Sequence, residues 1–267
     1  MVRVVILIDN NKGGYPLISE HGFSVFIEDE DKRIIFDFGQ SDAFFYNAIK
    51  MGINISNIDI GVLSHGHYDH SGGLKIFFEN NFIAKVYTHP LAFKDRYSTS
   101  TGKKRYIGID EEIKIKYKDR FIFTKNLEKL SKHVYFLGEI KGPKPKWKNL
   151  ILKDDSPDLF EDDSAIVIDL DNRLHVITGC CHSGVFQTLA QVKEYFPDKE
   201  IISIIGGLHL NKADDDTLLL TQEALSYFNV KYVFGGHCTG ERGFDFLSNI
   251  DNIKIVFLYT GYYFILD

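Results

Sequence analysis

The chain has 267 residues and a formal charge of −6, with 44% hydrophobic and 25% charged residues. That balance excludes wholesale disorder and allows a substantial core in one large domain or two small ones. The mild charge points to no partner class. No apolar run approaches the roughly 18 residues of a membrane helix, so a cytoplasmic protein without a membrane partner is expected.

The opening run, VRVVILI, is too short for a signal-peptide core and ends on Asp9, so it reads as a first strand over 2–8. Further strand-like runs follow at 23–27, 33–38, 58–63, 85–88, 134–137, 165–170, 174–178, 201–205, 230–234 and 254–259. Several are apolar almost throughout, as in strands buried on both faces. Helical patterns fall between them at 41–51, 71–80, 183–196 and 214–228. The first has Asp42 near its start and Gly52 just past its end, the usual punctuation. This order of elements implies sheets covered by helices. There is no internal repeat and no low-complexity tract.

Residues 94–153 stand apart, with 17 Lys and Arg against 7 Asp and Glu, a local net of +10. The remainder must then carry −16. KGPKPKWK at 141–148 reads as an exposed loop, and an acidic loop follows with Asp154, Asp155, Asp158, Glu161, Asp162 and Asp163. The stretch is expected to be an insertion or lid over one end of a single domain spanning 1–267.

The chemistry concentrates in Ser64-His65-Gly66-His67-Tyr68-Asp69-His70-Ser71-Gly72-Gly73, between an apolar strand and a helix. His65 and His67 are two apart, so in extended backbone both imidazoles point to one side. Asp69 and His70 follow where the chain bends, and can face a second point nearby. Imidazole and carboxylate are the usual ligands of catalytic zinc, and two ions roughly 3.5–4 Å apart can clamp attacking and leaving oxygens. Three later histidines also end buried-looking strands, where α/β proteins place ligand-binding groups: His182 in Gly179-Cys180-Cys181-His182-Ser183-Gly184, His209, and His237 in Gly236-His237-Cys238. The cysteines Cys180, Cys181 and Cys238 are odd in number and two are adjacent, a poor disulfide framework. Three free thiols in a reducing compartment are expected.

The H-x-H-x-D-H pattern at 65–70 resembles the metallo-β-lactamase superfamily, and the resemblance covers most of the chain. Asp37-Phe38-Gly39 stands where that superfamily has D-T-G. The resemblance implies that Asp37 orients a ligand from behind. It also implies an α+β or α/β fold, the four-layer αββα sandwich, holding two divalent ions. Zinc is expected first, with manganese and iron as alternatives. The implied ligands are His65, His67, Asp69, His70, His182 and His237.

The chain departs from the common pattern in two places. The superfamily's bridging Asp follows Thr-Gly, but here Thr178-Gly179 leads into Cys180. The preceding P-G-H motif is not evident, and the comparable strand ends Leu137-Gly138-Glu139. Cys180 or Cys181 as thiolate, or His182, are the candidates for the altered places. His209 stands as a metal ligand, a substrate contact or a core histidine. These departures, with Glu20-His21-Gly22-Phe23-Ser24, are similar to a branch described as 7,8-dihydropterin-6-methyl-4-(β-D-ribofuranosyl)aminobenzene-5′-phosphate synthase-like.

The resulting expectation is a hydrolase in which a metal-activated water attacks an ester or phosphate-containing small molecule, with Asp69 orienting that water. A pterin-dependent transferase and a redox or iron-binding metalloprotein are the alternatives. An anionic, phosphorylated substrate is expected beside Ser183 and Gly184, where a helix would present free N–H groups. The basic 94–153 stretch could steer it inward. No aromatic-interleaved basic surface points to nucleic acid.

Overall fold

The computed structural model describes residues 1–14 and 16–267. Two seven-stranded sheets face each other. From edge to edge the first runs Tyr263–Leu266, Val2–Ile8, Ser24–Glu28, Arg33–Phe36, Ile60–Val62, Lys85–Thr88 and Phe121–Phe123. The second runs Lys254–Phe257, Tyr232–Gly235, Glu200–Gly206, Arg173–Thr178, Ala165–Leu170, Val134–Phe136 and Glu128–Lys129.

Period-two alternation builds the layers, because successive strand residues face opposite ways. Val4 and Ile6 pack between the sheets with Phe36, Val62, Ile166, Ile168, Ile177 and Ile205. Their neighbours Val5 and Leu7 face outward onto Phe44, Leu74 and Phe77 of the helices Ala43–Lys50 and Leu74–Asn80. On the other side Val176 and Ile204 meet Leu189, Leu218 and Leu225 of the helices Val185–Tyr195 and Asp215–Tyr227. The architecture is therefore the expected αββα sandwich, with one core between the sheets and one under each helix layer.

Where the elements differ from the sequence reading, local chemistry gives the reason. The helix expected over 71–80 is broken into Tyr68–Ser71 and Leu74–Asn80. Gly72 and Gly73 lie so close to the backbone that an added Cβ would sit 2.1 Å from Gln40 O and 2.2 Å from Phe38 O. The strand expected over 33–38 stops at Phe36, because Asp37 turns into the left-handed region at φ 59°. The basic 94–153 stretch does not form one lid. Phe121–Phe123 and Val134–Phe136 belong to the two main sheets. Only Arg96–Ser98, Arg105–Tyr106 and Leu150–Leu152 make a separate small sheet.

One buried histidine ties this framework to pH. His175 lies in the strand Arg173–Thr178, with Nδ1 2.8 Å from Ser203 Oγ. Burial, and then the neighbouring Arg173 charge, lower its pKa to about 4. Its folded pKa is below its unfolded one, so the unfolded chain takes up the proton first as pH falls. The stabilisation is complete above pH 6.5 and is lost between about 6.5 and 4. The amount is on the order of 3 kcal/mol. Denaturant titrations at pH 7 and pH 4.5 should show His175→Gln losing less stability on acidification than the wild type.

Candidate metal centre

The site lies at one end of the sandwich because its strands run parallel. Arg33–Phe36 pairs parallel with Ile60–Val62, and Arg173–Thr178 is parallel to Glu200–Gly206, itself parallel to Tyr232–Gly235. Their carboxyl ends therefore gather Asp37, the 65–70 motif, Cys180, His182, His209 and His237. Left-handed turns then aim several of these residues: Asp37, Cys181, His209 and His237 have φ of 59°, 57°, 52° and 47°. Non-glycine residues bear a cost of about 1 kcal/mol or more there, which a packed frame must offset. The frame is tight. A Cβ on Gly66 would meet Ala92 O at 1.9 Å, and one on Gly179 would meet Ser64 Oγ at 2.2 Å.

Two groups of donors converge. His65, His67 and His182 are buried, and their ligand atoms lie within 4.8 Å of one another. His67 Nε2 and both ring nitrogens of His182 are buried without a hydrogen-bond partner among the described residues. Burial pushes the pKa of His67 down to about 3 and those of His65 and His182 well below normal, the latter two lowered further by neighbouring histidines. Three neutral imidazoles in a dry spot, two of them with unshared nitrogens, form a fitting cradle for a cation, since buried polar atoms are otherwise paired.

The second group surrounds Asp69. His70 Nε2 lies 3.2 Å from His237 Nε2 and 3.1 Å from Cys180 Sγ, while Asp69 Oδ2 is 3.5 Å from His237 Nε2. His70 Nδ1 is 2.6 Å from Asp37 Oδ2, and His237 Nδ1 is 2.8 Å from Asn10 Oδ1. With both Nδ1 atoms donating, the neutral rings turn bare Nε2 lone pairs toward each other. Such a contact needs a positive charge between them. Burial alone would lower the His70 pKa, but Asp37 and Asp69 overcome it and raise it to about 9. The carboxylates thus call for a cation at this point, whether a proton or a metal ion.

Asp37 is fully buried and organises both groups. Its Oδ1 accepts from Ser64 N–H at 2.7 Å, and its Oδ2 accepts from Ser64 Oγ at 2.7 Å. Ser64 Oγ in turn lies 2.9 Å from His65 Nδ1, which leaves the lone pair on His65 Nε2, 3.1 Å from His67 Nδ1.

The two adjacent cysteines part company. Cys180 shares donor groups with His65, His70, His182, His209 and His237, a central position between the two clusters. Cys181 turns away into the helix core, with Sγ 3.4 Å from Thr188 Oγ1. Cys180, Cys181 and Cys238 are all free thiols. The His209 backbone N–H donates to Cys238 Sγ at 3.3 Å, its Nδ1 is buried without a partner among the described residues, and its ring lies 4.3 Å from that of His182.

The expected anion site at Ser183 and Gly184 is filled from within. Ser183 N–H donates to Asp163 Oδ2 at 2.7 Å, and Pro145 covers Gly184. Neither residue lines the cleft over the donors, a space of about 600 Å³. Positive charge reaches that cleft from another quarter, through Arg105, Lys146, Lys148 and Lys212. Trp147 forms part of its wall, with Nε1 donating to His182 O at 2.8 Å and its ring 4.4 Å from that of His209.

Several residues of the site escaped sequence reading. Asn10 lies far from the histidine motif in sequence, although Asp9-Asn10 ends an apolar strand, the signal used for the others, and His21 stood only in the motif at 20–24, with no site role. Phe160, stacked 4.1 Å from the His182 ring, carried no signal. Asp162 was visible only as one carboxylate in an acidic loop.

The family described as the metallo-beta-lactamase superfamily matches residues 19–193. An uncharacterized protein of Methanocaldococcus jannaschii is 33% identical, over 93% of this chain and 95% of its own. A 7,8-dihydropterin-6-methyl-4-(beta-D-ribofuranosyl)-aminobenzene-5'-phosphate synthase of the same organism is 29% identical, over 90% of this chain and 88% of its own. Among solved structures, Tm1679, a metal-dependent hydrolase of the beta-lactamase superfamily, is 29% identical with a TM-score of 0.83, covering 100% of this chain and 99% of that one. Zinc-bound PqqB from Methylobacterium extorquens shares the fold, with a TM-score of 0.60 at 10% identity over 99% of this chain and 100% of that one.

Proposed function

Because the chain belongs to the metallo-beta-lactamase superfamily, we propose that it is a metal-dependent hydrolase of an anionic ester or phosphate-containing small molecule. The observation that carries this reading is the pair of adjoining donor groups: His65, His67 and His182 in one, Asp69, His70 and His237 in the other, with Cys180 between. These residues would hold two divalent ions, zinc by preference. When bound, such ions supply Lewis acidity and lower the pKa of a coordinated water. The chain's own part is to position. Asp37 holds the His70 ring and, through Ser64, the His65 ring. Burial keeps the His65, His67 and His182 imidazoles neutral, and Asp69 ionised beside the open cleft can accept a proton from the attacking water. Arg105, Lys146, Lys148 and Lys212 would draw in the anionic end of the substrate and hold it against Trp147.

A transferase is the second reading. The 29% identity to a synthase-named relative over 90% of this chain favours it. Zinc-loaded or manganese-loaded protein should be offered a panel of small esters, phosphomonoesters and phosphodiesters. Turnover with water alone supports the hydrolase. No hydrolysis, together with coupling of a pterin diphosphate to an aniline riboside phosphate, would replace it with the transferase. Competitive inhibition by millimolar phosphate that weakens with salt is expected of either.

The cysteines supply a sharper prediction. Cys180→Ala should weaken binding of the ion beside His70 by more than the roughly 10–100-fold that losing a mere supporting partner costs. Cys181→Ala should leave the metal content intact and lower folding stability by about 1 kcal/mol, the scale of a lost buried methylene-sized group. Metal analysis after dialysis against graded chelator reads the difference. Equal metal loss in both variants would sink the assignment.

A further inference from the structure

Two imidazoles flank Asn10, and they are not equivalent. Asn10 follows the strand Val2–Ile8 and the buried Asp9, whose Oδ2 accepts the His237 backbone N–H at 2.8 Å. Asn10 Oδ1 accepts the Gly22 backbone N–H at 3.0 Å. A backbone N–H can only donate, so this bond fixes which end of the amide is oxygen. The same Oδ1 lies 2.8 Å from His237 Nδ1, and Asn10 Nδ2 lies 3.2 Å from His21 Nδ1. An amide oxygen accepts and an amide nitrogen donates. His237 Nδ1 must therefore carry a hydrogen, and His21 Nδ1 must be bare.

The two rings then have opposite tautomers. His237 has its lone pair on Nε2, turned toward His70 Nε2 at 3.2 Å. Neutral His21 has its hydrogen on Nε2, which lies 3.2 Å from Asp69 Oδ2. Distance alone would admit His21 as a ligand, since its donor atom lies within 4.8 Å of those of Asp69 and His237. Hydrogen bonding excludes it, because a metal takes the unprotonated nitrogen of a neutral imidazole.

We propose that Asn10 is a positioning residue that sorts these imidazoles, holding His237 ready to ligate through Nε2 and His21 as an Nε2–H donor that braces Asp69 and does not ligate. The role of His237 in this statement rests on the metal centre proposed above. Bracing of a carboxylate ligand by an outer hydrogen-bond donor is a general requirement of such sites. His21 is suited to it because its ring is half exposed at the cleft mouth, outside the dry cluster.

The test is long-range proton–nitrogen NMR on protein carrying ¹⁵N-histidine, zinc-loaded and chelator-treated, with His21→Gln and His237→Gln to assign signals. In both samples His21 should be protonated on Nε2 and bare on Nδ1, and His237 protonated on Nδ1. Asn10→Asp offers only acceptors, so His21 should gain a hydrogen on Nδ1 while keeping the Nε2 hydrogen that faces Asp69, and the bond from Gly22 persists. A zinc-shifted or bare His21 Nε2 in the wild type would overturn the proposal. So would a His21 Nδ1 that stays bare in Asn10→Asp. Failure to take up zinc counts against the metal centre instead, and the chelator-treated spectrum still decides the tautomers.

Discussion

Replacing His182 by Leu is expected to leave one of two divalent ions bound per chain and to cut turnover by at least about 100-fold, the upper end for losing a supporting partner alone. The reasoning is chemical. His182 is fully buried, neutral, and has no hydrogen-bond partner among the described residues at either ring nitrogen. A histidine kept only for packing would be a poor use of that volume, since burying an unpaired polar nitrogen costs roughly 1–3 kcal/mol. Leucine keeps most of the volume against Phe160 and removes the nitrogen. As a packing residue, His182→Leu would be neutral or stabilising and would keep both ions. As a ligand, it would give a folded protein of equal or greater stability in chelator and a missing ion. Metal content measured beside a denaturation curve separates the two cases, and two retained ions would refute the role of His182.

That residue also marks how far the sequence could be read. The cluster at 65–70 was legible because two-residue spacing on a strand end fixes the direction of His65 and His67 before any tertiary contact forms. The sandwich was legible because alternating strands such as VRVVILI carry two buried faces, as Val4 and Val5 do on opposite sides of the sheet. His182 was legible as a ligand only through its place at a strand end and the family resemblance, since its approach to His65 depends on how the second sheet docks on the first. The choice between Cys180 and Cys181 was beyond sequence reasoning, because one left-handed residue, Cys181 at φ 57°, decides which thiol faces the cleft. The anion site failed for a related reason. A helix start after His182 was correctly expected, but its N–H is answered by Asp163, from a loop with no periodic signal. Tyr263–Leu266 went unread as well, an edge strand with two strongly exposed apolar residues, Tyr263 and Ile265.

The largest effect on stability is expected from a residue outside both donor groups. Arg96 is buried at 1% exposure, with Nε 2.8 Å from Asp158 Oδ2 and an Nη nitrogen 2.6 Å from Asp162 Oδ1. It also donates to Ala92 O at 3.1 Å and Leu91 O at 3.2 Å. Asp162 Oδ2 accepts the Gly66 N–H at 2.8 Å, between the two leading histidines of the motif. One guanidinium therefore ties the 90–93 turn and the acidic loop to the backbone that carries His65 and His67. Arg96→Met would strand two buried carboxylates, and breaking a buried pair in this way costs about 3–5 kcal/mol. Burial already raises the Asp162 pKa against the pull of Arg96, so removing the arginine must raise it further. A carboxylate with a raised folded pKa is relieved by protonation, so the deficit of the variant should shrink as pH falls from 7 toward 5. Urea titrations of both proteins in chelator, at the two pH values, measure this without interference from bound metal. A deficit under about 1 kcal/mol at pH 7, or one that grows on acidification, would show that Arg96 does not carry this buried network.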